Sequence, residues 1–250
     1  MPRLFRIALI SAWLAVLAAA LAAFAQQPAQ PGENAQTKKA PKAPPVPRPP
    51  LFFREEWKQP PYTGTLNDAA RRLTQQAVTN PNLELKIYGP CKDVGVEVYG
   101  TPNDTIFPMN LWTGMCASPV SVTLRDRNNY VDLTGPSRIR WTTRAGNLHA
   151  VRPVLKLADG TLIVGNHADA TPNAPGQTEP TMVQSEIAVD AVRWFMLNPE
   201  TVATTRPMDT PDLSKVDEVG FADLMPGGGH GSAGWINVGA MEVYGKPVKR

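Results

Sequence analysis

From Leu51 onwards the chain is written in short apolar and β-branched runs, each bounded by glycine, proline, asparagine or aspartate. Runs of this kind predict strands over Leu83–Tyr88, Gly95–Tyr99, Val120–Arg125, Tyr130–Leu133, Arg138–Thr143, Val151–Leu157, Thr161–Val164, Ser185–Asn198, Lys215–Ala222 and Ile236–Tyr244. Asp159-Gly160 is a hairpin signal between two of them. Gly135-Pro136 and Asn198-Pro199 break others. Asn67–Val78 is the one stretch with helical character; Asn67 or Asp68 would cap it, and it is strongly polar. Many short strands without interleaved helices predict an all-β fold, an antiparallel β-sandwich or jelly roll with at most one short helix. Three strand ends share a tyrosine followed by glycine: Tyr88-Gly89, Tyr99-Gly100 and Tyr244-Gly245. Tyrosine suits a strand end with one polar side, and glycine stops the strand.

The N-terminus adds two segments that the sandwich does not need. Arg3 and Arg6 precede an alanine-rich apolar run from Ile7 to Phe24, and Ala23-Phe24-Ala25 is a small-x-small cleavage site. Residues 1–25 therefore read as a signal peptide, with a membrane-anchoring helix as the alternative. Polar Gln26-Gln27 follows at once, which favours cleavage. The expected location is the periplasm or the exterior, with no stable membrane span after cleavage. Residues 26–50 carry eight prolines and no aromatic residue, the composition of a disordered linker. The rest, 51–250, is long enough for one well-cored domain.

Removing the signal peptide takes away two arginines and no acids. The formal charge then falls from +3 to 23 − 22 = +1. A near-neutral mixed surface provides no electrostatic footprint for nucleic acid or anionic membrane. Cys91 and Cys116 are the only cysteines. In an oxidising compartment they are expected to form a disulfide, worth about 3 kcal/mol in the chain-entropy model. Two inert buried thiols are the alternative.

The stretch Pro226–Trp235 (PGGGHGSAGW) contains a G-x-G-x-x-G and comes within one residue of G-x-S-x-G. Both motifs need a helix after the glycines. Here another β-rich run follows, Trp235-Ile236-Asn237-Val238, so neither nucleotide binding nor a nucleophile elbow at Ser232 is expected. The loop turns the chain and is expected to border a site.

The order of strings in the C-terminal half carries a resemblance. Tyr130-Val131-Asp132-Leu133-Thr134-Gly135 is followed by Arg138–Thr143 and Val151–Leu157. Asp212-Leu213-Ser214-Lys215-Val216 then leads through Val219-Gly220-Phe221 to a final strand ending in Glu242-Val243-Tyr244. This resembles the galactose-binding-like β-jelly roll of carbohydrate-binding modules and complex I intermediate-associated domains, over about residues 128–245. The resemblance implies a polysaccharide or envelope glycan as partner and no catalytic machinery of its own. It also implies that a structural calcium is common in such folds.

Sugar sites pair aromatic platforms with amides, carboxylates and arginines. On that chemistry the candidate ligand-binding residues are Trp112, Trp235, Asn166, His167, Asp169 and His230. Calcium takes six or more oxygens, and neither Asn166–Asp169 nor Asp126–Asn129 has an obvious loop of that kind. His149, His167 and His230 are too dispersed for a zinc motif. A sugar-active hydrolase is the second reading and a structural envelope protein the third. The hydrolase would need two carboxylates facing across a cleft; Glu55, Glu56, Glu179, Glu186, Glu218 and Glu242 are the pool.

Overall fold

The computed structural model describes residues 47–250 apart from 94, 171–181 and 228–233. The expected signal peptide, most of the linker, Glu179, His230 and Ser232 lie outside the described residues. Among the described residues the chain forms two antiparallel sheets packed face to face.

The six-stranded sheet is built from β1 (Leu51–Glu55), β3 (Glu97–Tyr99), β4 (Asn110–Trp112), β7 (Arg138–Gly146), β10 (Val183–Ala188) and β14 (Trp235–Tyr244), in the order β10-β7-β14-β4-β3. β1 and β4 share one edge of β14 end to end: β4 pairs with Asn237 and Val238, β1 with Met241–Tyr244. A bulge at Gly239–Ala240 separates the two pairings, as the register shift between Val238 and Met241 shows.

The nine-stranded sheet runs β12 (Thr204–Met208), β11 (Trp194–Leu197), β9 (Leu162–Gly165), β8 (Arg152–Leu157), β13 (Val216–Asp223), β5 (Val120–Asp126), β2 (Leu83–Tyr88). β6 (Asn129–Asp132) joins it at Val216 and pairs with β15 (Lys246–Lys249).

Strand periodicity sorts the side chains. Along β7, Ile139, Trp141 and Ala145 enter the core, whereas Arg138, Arg140, Thr142 and Arg144 face outward. β14 sends Ile236, Val238, Met241 and Val243 inward. The opposite wall is Leu155, Leu157, Ile163, Val219, Phe221, Val122 and Leu124. A second, separate apolar cluster lies on the outer face of the nine-stranded sheet: Val154, Leu162, Val164, Leu197, Val202 and Ala222.

Buried polar groups pin the strand ends. Glu55 is fully buried and its carboxylate accepts from the Trp57, Thr79 and Asn80 amides and the Thr79 hydroxyl at 2.7–3.0 Å. That clamp holds Trp57 in the left-handed region (φ 56), with its indole N–H donating to Gly239 O at the bulge. At one end of the sandwich His149 Nδ1 lies 2.8 Å from Asp223 Oδ2, which also accepts from Thr113 Oγ1. The Ile236 amide in turn donates to Thr113 Oγ1. One buried network therefore ties the ends of β4, β13 and β14 to the loop after β7.

The expected helix at Asn67–Val78 is shorter. A single turn, α1 (Asp68–Arg71), is capped by Asn67 Oδ1 accepting from Ala70 N, and a 3-10 turn covers Gln75–Ala77. Arg72 between them bridges to Glu97 of β3, so tertiary pairing interrupts the helix. The expected strand Ser185–Asn198 is two strands in different sheets. β10 pairs with β7, the chain turns at Val189–Ala191, and β11 pairs with β9 and β12. The Asp159-Gly160 hairpin is present: Gly160 has φ 90 and the Thr161 amide donates to Asp159 Oδ1. Cys91 and Cys116, the pair expected to form a disulfide, lie side by side here as free, buried thiols in hydrogen-bond contact, and both sulfurs crowd Gly95, where a Cβ has no room. Cys116 is pushed far above the usual thiol range by that contact and by burial. Cys91, on the other end of the contact, is held below it.

Candidate functional site

The outer face of the six-stranded sheet gathers two of the candidate tryptophans. Trp112 on β4 stands opposite Asn237 of β14, and Trp235 lies two residues earlier on the same face of β14. The Trp235 indole lies across Gly146 of β7, where a Cβ would come within 2.8 Å of the ring. Any larger residue at 146 would displace it. Beside it the Arg144 guanidinium is sandwiched, 4.8 Å from the Trp235 ring and 4.7 Å from Phe107. Arg144 Nε donates to Asn237 Oδ1 at 2.8 Å, and Asn237 Nδ2 donates to Asn110 Oδ1.

Trp112 is nearly buried, 7% exposed, because Tyr99 meets it edge-on at 5.2 Å and Gly114 packs against its ring. Tyr99 carries Arg71 over its own ring at 4.4 Å. Burial, with hydrogen bonding to Glu97, pushes the Tyr99 hydroxyl up to about 12. Phe107, Arg144 and Trp235 are partly exposed, while Asn110, Asn237 and Trp112 lie buried beneath them; rings and a guanidinium are groups that stack on sugar rings and bond their hydroxyls.

A cleft of about 480 Å³ opens beside this row. It is lined by Arg54 of β1 and Glu56 just after it, Thr142 of β7, Ala240 at the bulge, and Asn103 and Asp104 of the β3–β4 loop. That loop is a built wall. Asp104 Oδ1 accepts from the Ile106 and Phe107 amides, which holds its carboxyl below the ordinary range and fixes Phe107 against Arg144. At its base the Thr101 amide donates to Phe107 O.

Further along the same face the charged side chains alternate in sign. Arg140 Nε lies 3.5 Å from Glu186 and 3.4 Å from Glu242, and Glu242 also meets Arg54 at 2.6 Å. Glu186 and Glu242 are the carboxylates of the candidate pool that share a face. They flank one guanidinium rather than an empty cleft, so the geometry is that of a neutralised charge row. Glu55 is spent inside as a clamp, and Glu218 lies on the opposite sheet.

The loop candidates Asn166, His167 and Asp169 follow β9 of the nine-stranded sheet, and Asp169 reaches β7 and β10 of the six-stranded one. Asn166 Oδ1 accepts from the Arg193 amide. Asp169 Oδ2 accepts from Trp141 Nε1 and Ser185 Oγ, both at 2.6 Å, and its Oδ1 lies 3.0 Å from His167 Nε2. Asn166 and Asp169 thus bind their own protein; His167 keeps about a third of its side chain open to solvent (34%). Among the described residues no group of three or more His, Cys, Asp or Glu side chains converges as a metal site.

The outer face of the nine-stranded sheet has a different make-up, and most of its residues carried no sequence motif. Glu218, 1% exposed, accepts from Tyr88 OH at 2.9 and 3.1 Å, from Lys156 Nζ at 3.1 Å and from Thr123 Oγ1 at 2.5 Å. Burial and Glu218 push the Tyr88 hydroxyl up to about 12. Burial alone would lower Lys156, but its bonds to Tyr88 and Glu218 carry it above the ordinary lysine value.

Beside this cluster the Asn198–Ala203 loop crosses the face and inserts Val202, which is fully buried at φ 51. A β-branched residue in the left-handed region costs about 1–3 kcal/mol. Burying a valine side chain returns roughly 1.5–3 kcal/mol. The two contributions nearly cancel. The Tyr-Gly strand ends were the usable signal for both faces: Tyr88 lies on this one, Tyr99 and Tyr244 on the other.

No protein-family model matches the chain, and no curated protein matches it. Among solved structures it is similar to a family 11 carbohydrate-binding module from Clostridium thermocellum in complex with a β-1,3-1,4-mixed-linked tetrasaccharide. The identity is 12% and the TM-score 0.40, covering 79% of this chain and 98% of that one. It is also similar to a putative sugar binding protein from Bacteroides thetaiotaomicron, at 12% identity and TM-score 0.32, covering 65% and 88%. An exo-beta-agarase matches at 6% identity and TM-score 0.39, covering 68% of this chain and 24% of that one. At scores this low the sandwich rests on the two sheets themselves, not on these likenesses.

Proposed function

We propose that this chain is an exported, non-catalytic binding module that holds a polysaccharide or envelope glycan against the outer face of its six-stranded sheet. The observation that carries the reading is the Phe107–Arg144–Trp235 stack, bonded through Asn237 to Asn110 and set beside a polar cleft. Flat rings at fixed positions supply the stacking surface, and preformed hydrogen bonds keep Arg144 from losing conformational freedom when a sugar arrives. Trp235 is the principal platform; Trp112, nearly buried against Tyr99, lies beside it on the same face. In an oxidising compartment the adjacent Cys91 and Cys116 thiols would close into a disulfide.

The test is affinity electrophoresis of the exported chain through gels carrying β-1,3-1,4-mixed-linked glucan or agarose, with and without a calcium chelator. Retardation by one glycan is expected, at least tenfold weaker in Trp235→Ala. That factor corresponds to about 1.4 kcal/mol. Loss on chelation would add a calcium ion to the site. Retardation that survives Trp235→Ala would remove this face from the reading, and reducing-sugar release from either glycan would replace a binding module with a hydrolase.

A further inference from the structure

We propose that the outer face of the nine-stranded sheet is a second sugar-binding cleft, held shut by the Asn198–Ala203 strap, with the Val202 side chain occupying the place of a ligand ring. The proposal rests on the carbohydrate reading for its ligand class, but the strap can be tested without any ligand.

Three observations carry it. First, the strap is a plug on a short tether. Pro199, Glu200, Thr201 and Ala203 are exposed, and Val202 between them is fully buried in a backbone conformation that β-branched residues avoid. Strain of this kind persists where the surroundings over-determine it and concentrates at ligand clamps and switches. The plug seats on the bare backbone of Gly89: a Cβ there would lie 2.6 Å from Val202 Cγ2.

Second, the attachments are few. Among the described residues one backbone hydrogen bond ties the strap to β2's end, Gly89 N to Pro199 O at 3.0 Å. The remaining bonds are internal to the turn: Asn198 Oδ1 accepts from the Glu200 and Thr201 amides, and Asn198 O accepts from Val202 N. They travel with the strap when it lifts. A cleft of about 560 Å³ already opens along its edge, between Pro199 and Glu200 on one side and Tyr88, Pro90 and Lys92 on the other.

Third, the floor is chemically complete. Lifting Val202 uncovers a shallow apolar bed, Val154, Val164 and Ala222, next to the Tyr88 ring. The Tyr88 hydroxyl, Glu218, Lys156 and Thr123 border it, an interlinked set of donors and acceptors. A ring surface flanked by a carboxylate, an ammonium and hydroxyls suits one pyranose ring, apolar on its face and hydroxylated at its rim.

Hydrogen exchange on the unliganded full chain tests the strap. The Gly89 amide, whose bond to Pro199 O breaks when the strap lifts, is expected to exchange on the order of 100-fold faster than the β8–β13 ladder, because it opens without the core. Protection equal to that ladder overturns the proposal.

Retardation in β-1,3-1,4-mixed-linked glucan and agarose gels tests the cleft, using Val202→Asp in a Trp235→Ala background. Restored retardation is expected, since the charged side chain cannot stay buried in the plug. Val202→Gly, which suits the left-handed backbone and removes the wedge, serves the same purpose if the aspartate variant does not fold. Loss of binding in Trp235→Ala without recovery in the double variants overturns the second cleft alone. No retardation of any form, wild type included, overturns the carbohydrate reading and the cleft together.

Discussion

The two outer faces of the sandwich solve the same problem in opposite ways. On the six-stranded sheet the outward positions are long and polar, and they satisfy one another laterally: Arg140 between Glu186 and Glu242, Arg144 between Phe107 and Trp235. Among the described residues, Phe107 of the β3–β4 loop and Arg71 of α1 lie over part of this face. On the nine-stranded sheet the middle of the outer face is apolar, Val154, Leu162, Val164 and Ala222, and the chain covers it with its own strap. The lesson is that an outer face with apolar residues at its centre must be capped, whereas one with stacked guanidinium and aromatic groups can stay open.

The largest expected effect breaks both faces at once. Trp141 lies between the sheets at 1% exposure and anchors Asp169, so Trp141→Ala should cost about 3–5 kcal/mol in chemical denaturation. Both faces should be lost in one transition; two separate transitions would show that the sheets are not one cooperative unit.

Next comes the tie between the β2–β3 and β4–β5 loops. Intact mass of the chain purified under oxidising conditions should show Cys91 and Cys116 two hydrogens lighter than the dithiol. Reduction should then lower stability by about 3 kcal/mol. A dithiol mass would keep the pair as buried thiols.

Glu218→Ala and Arg54→Ala sharpen the contrast. Glu218 is buried with four hydrogen-bonded contacts, and its loss should cost about 2–3 kcal/mol. Arg54 is half exposed, and its pairs should be worth less than about 1 kcal/mol. Equal costs would erase the distinction between a closed and an open face.

The smallest effect is alkaline. Tyr88 and Tyr99 both have folded values of about 12 against an ordinary 10.0. A raised value favours the protonated folded form, so its stabilisation is whole below pH 10 and is lost as pH rises towards 12. Tyr88→Phe should flatten the fall in melting temperature over that window without abolishing it, since Tyr99 still contributes. An unchanged slope would mean that Tyr88 keeps its value on unfolding.

Strands with clear alternation and turn residues at both ends were legible: Leu83–Tyr88 has the same bounds in sequence and structure, and β7, β13 and β14 differ mainly at their ends. β1, β4, β12 and β15 were not. β4 is three residues long, β15 is Lys-Pro-Val-Lys, and β12 carries Pro207, tolerable because β12 is the sheet edge. The passage from β10 to β11 was hidden because Ile187 to Phe195 contains neither glycine nor proline, yet the chain changes sheet there. Of the candidate site, Trp112 and Trp235 were singled out as platforms, but only the pairing of β4 with β14 places them on one face. Phe107, Arg144 and the Asn110–Asn237 bond had no local signal, since each draws its role from a partner more than 25 positions away in the chain.

The sequence alone determined the class of fold, because strand length, turn residues and the scarcity of helix signals are local properties of the backbone. It also marked the tyrosines that end three strands. The tertiary structure alone decided which carboxylates are clamps and which are surface ion pairs. It likewise decided that Asp169 serves Trp141 and Ser185, that Trp235 stays partly exposed on one outer face, and that Val202 is buried on the other. Those outcomes depend on burial and on partners brought together across sheets, and no window of neighbouring residues contains either.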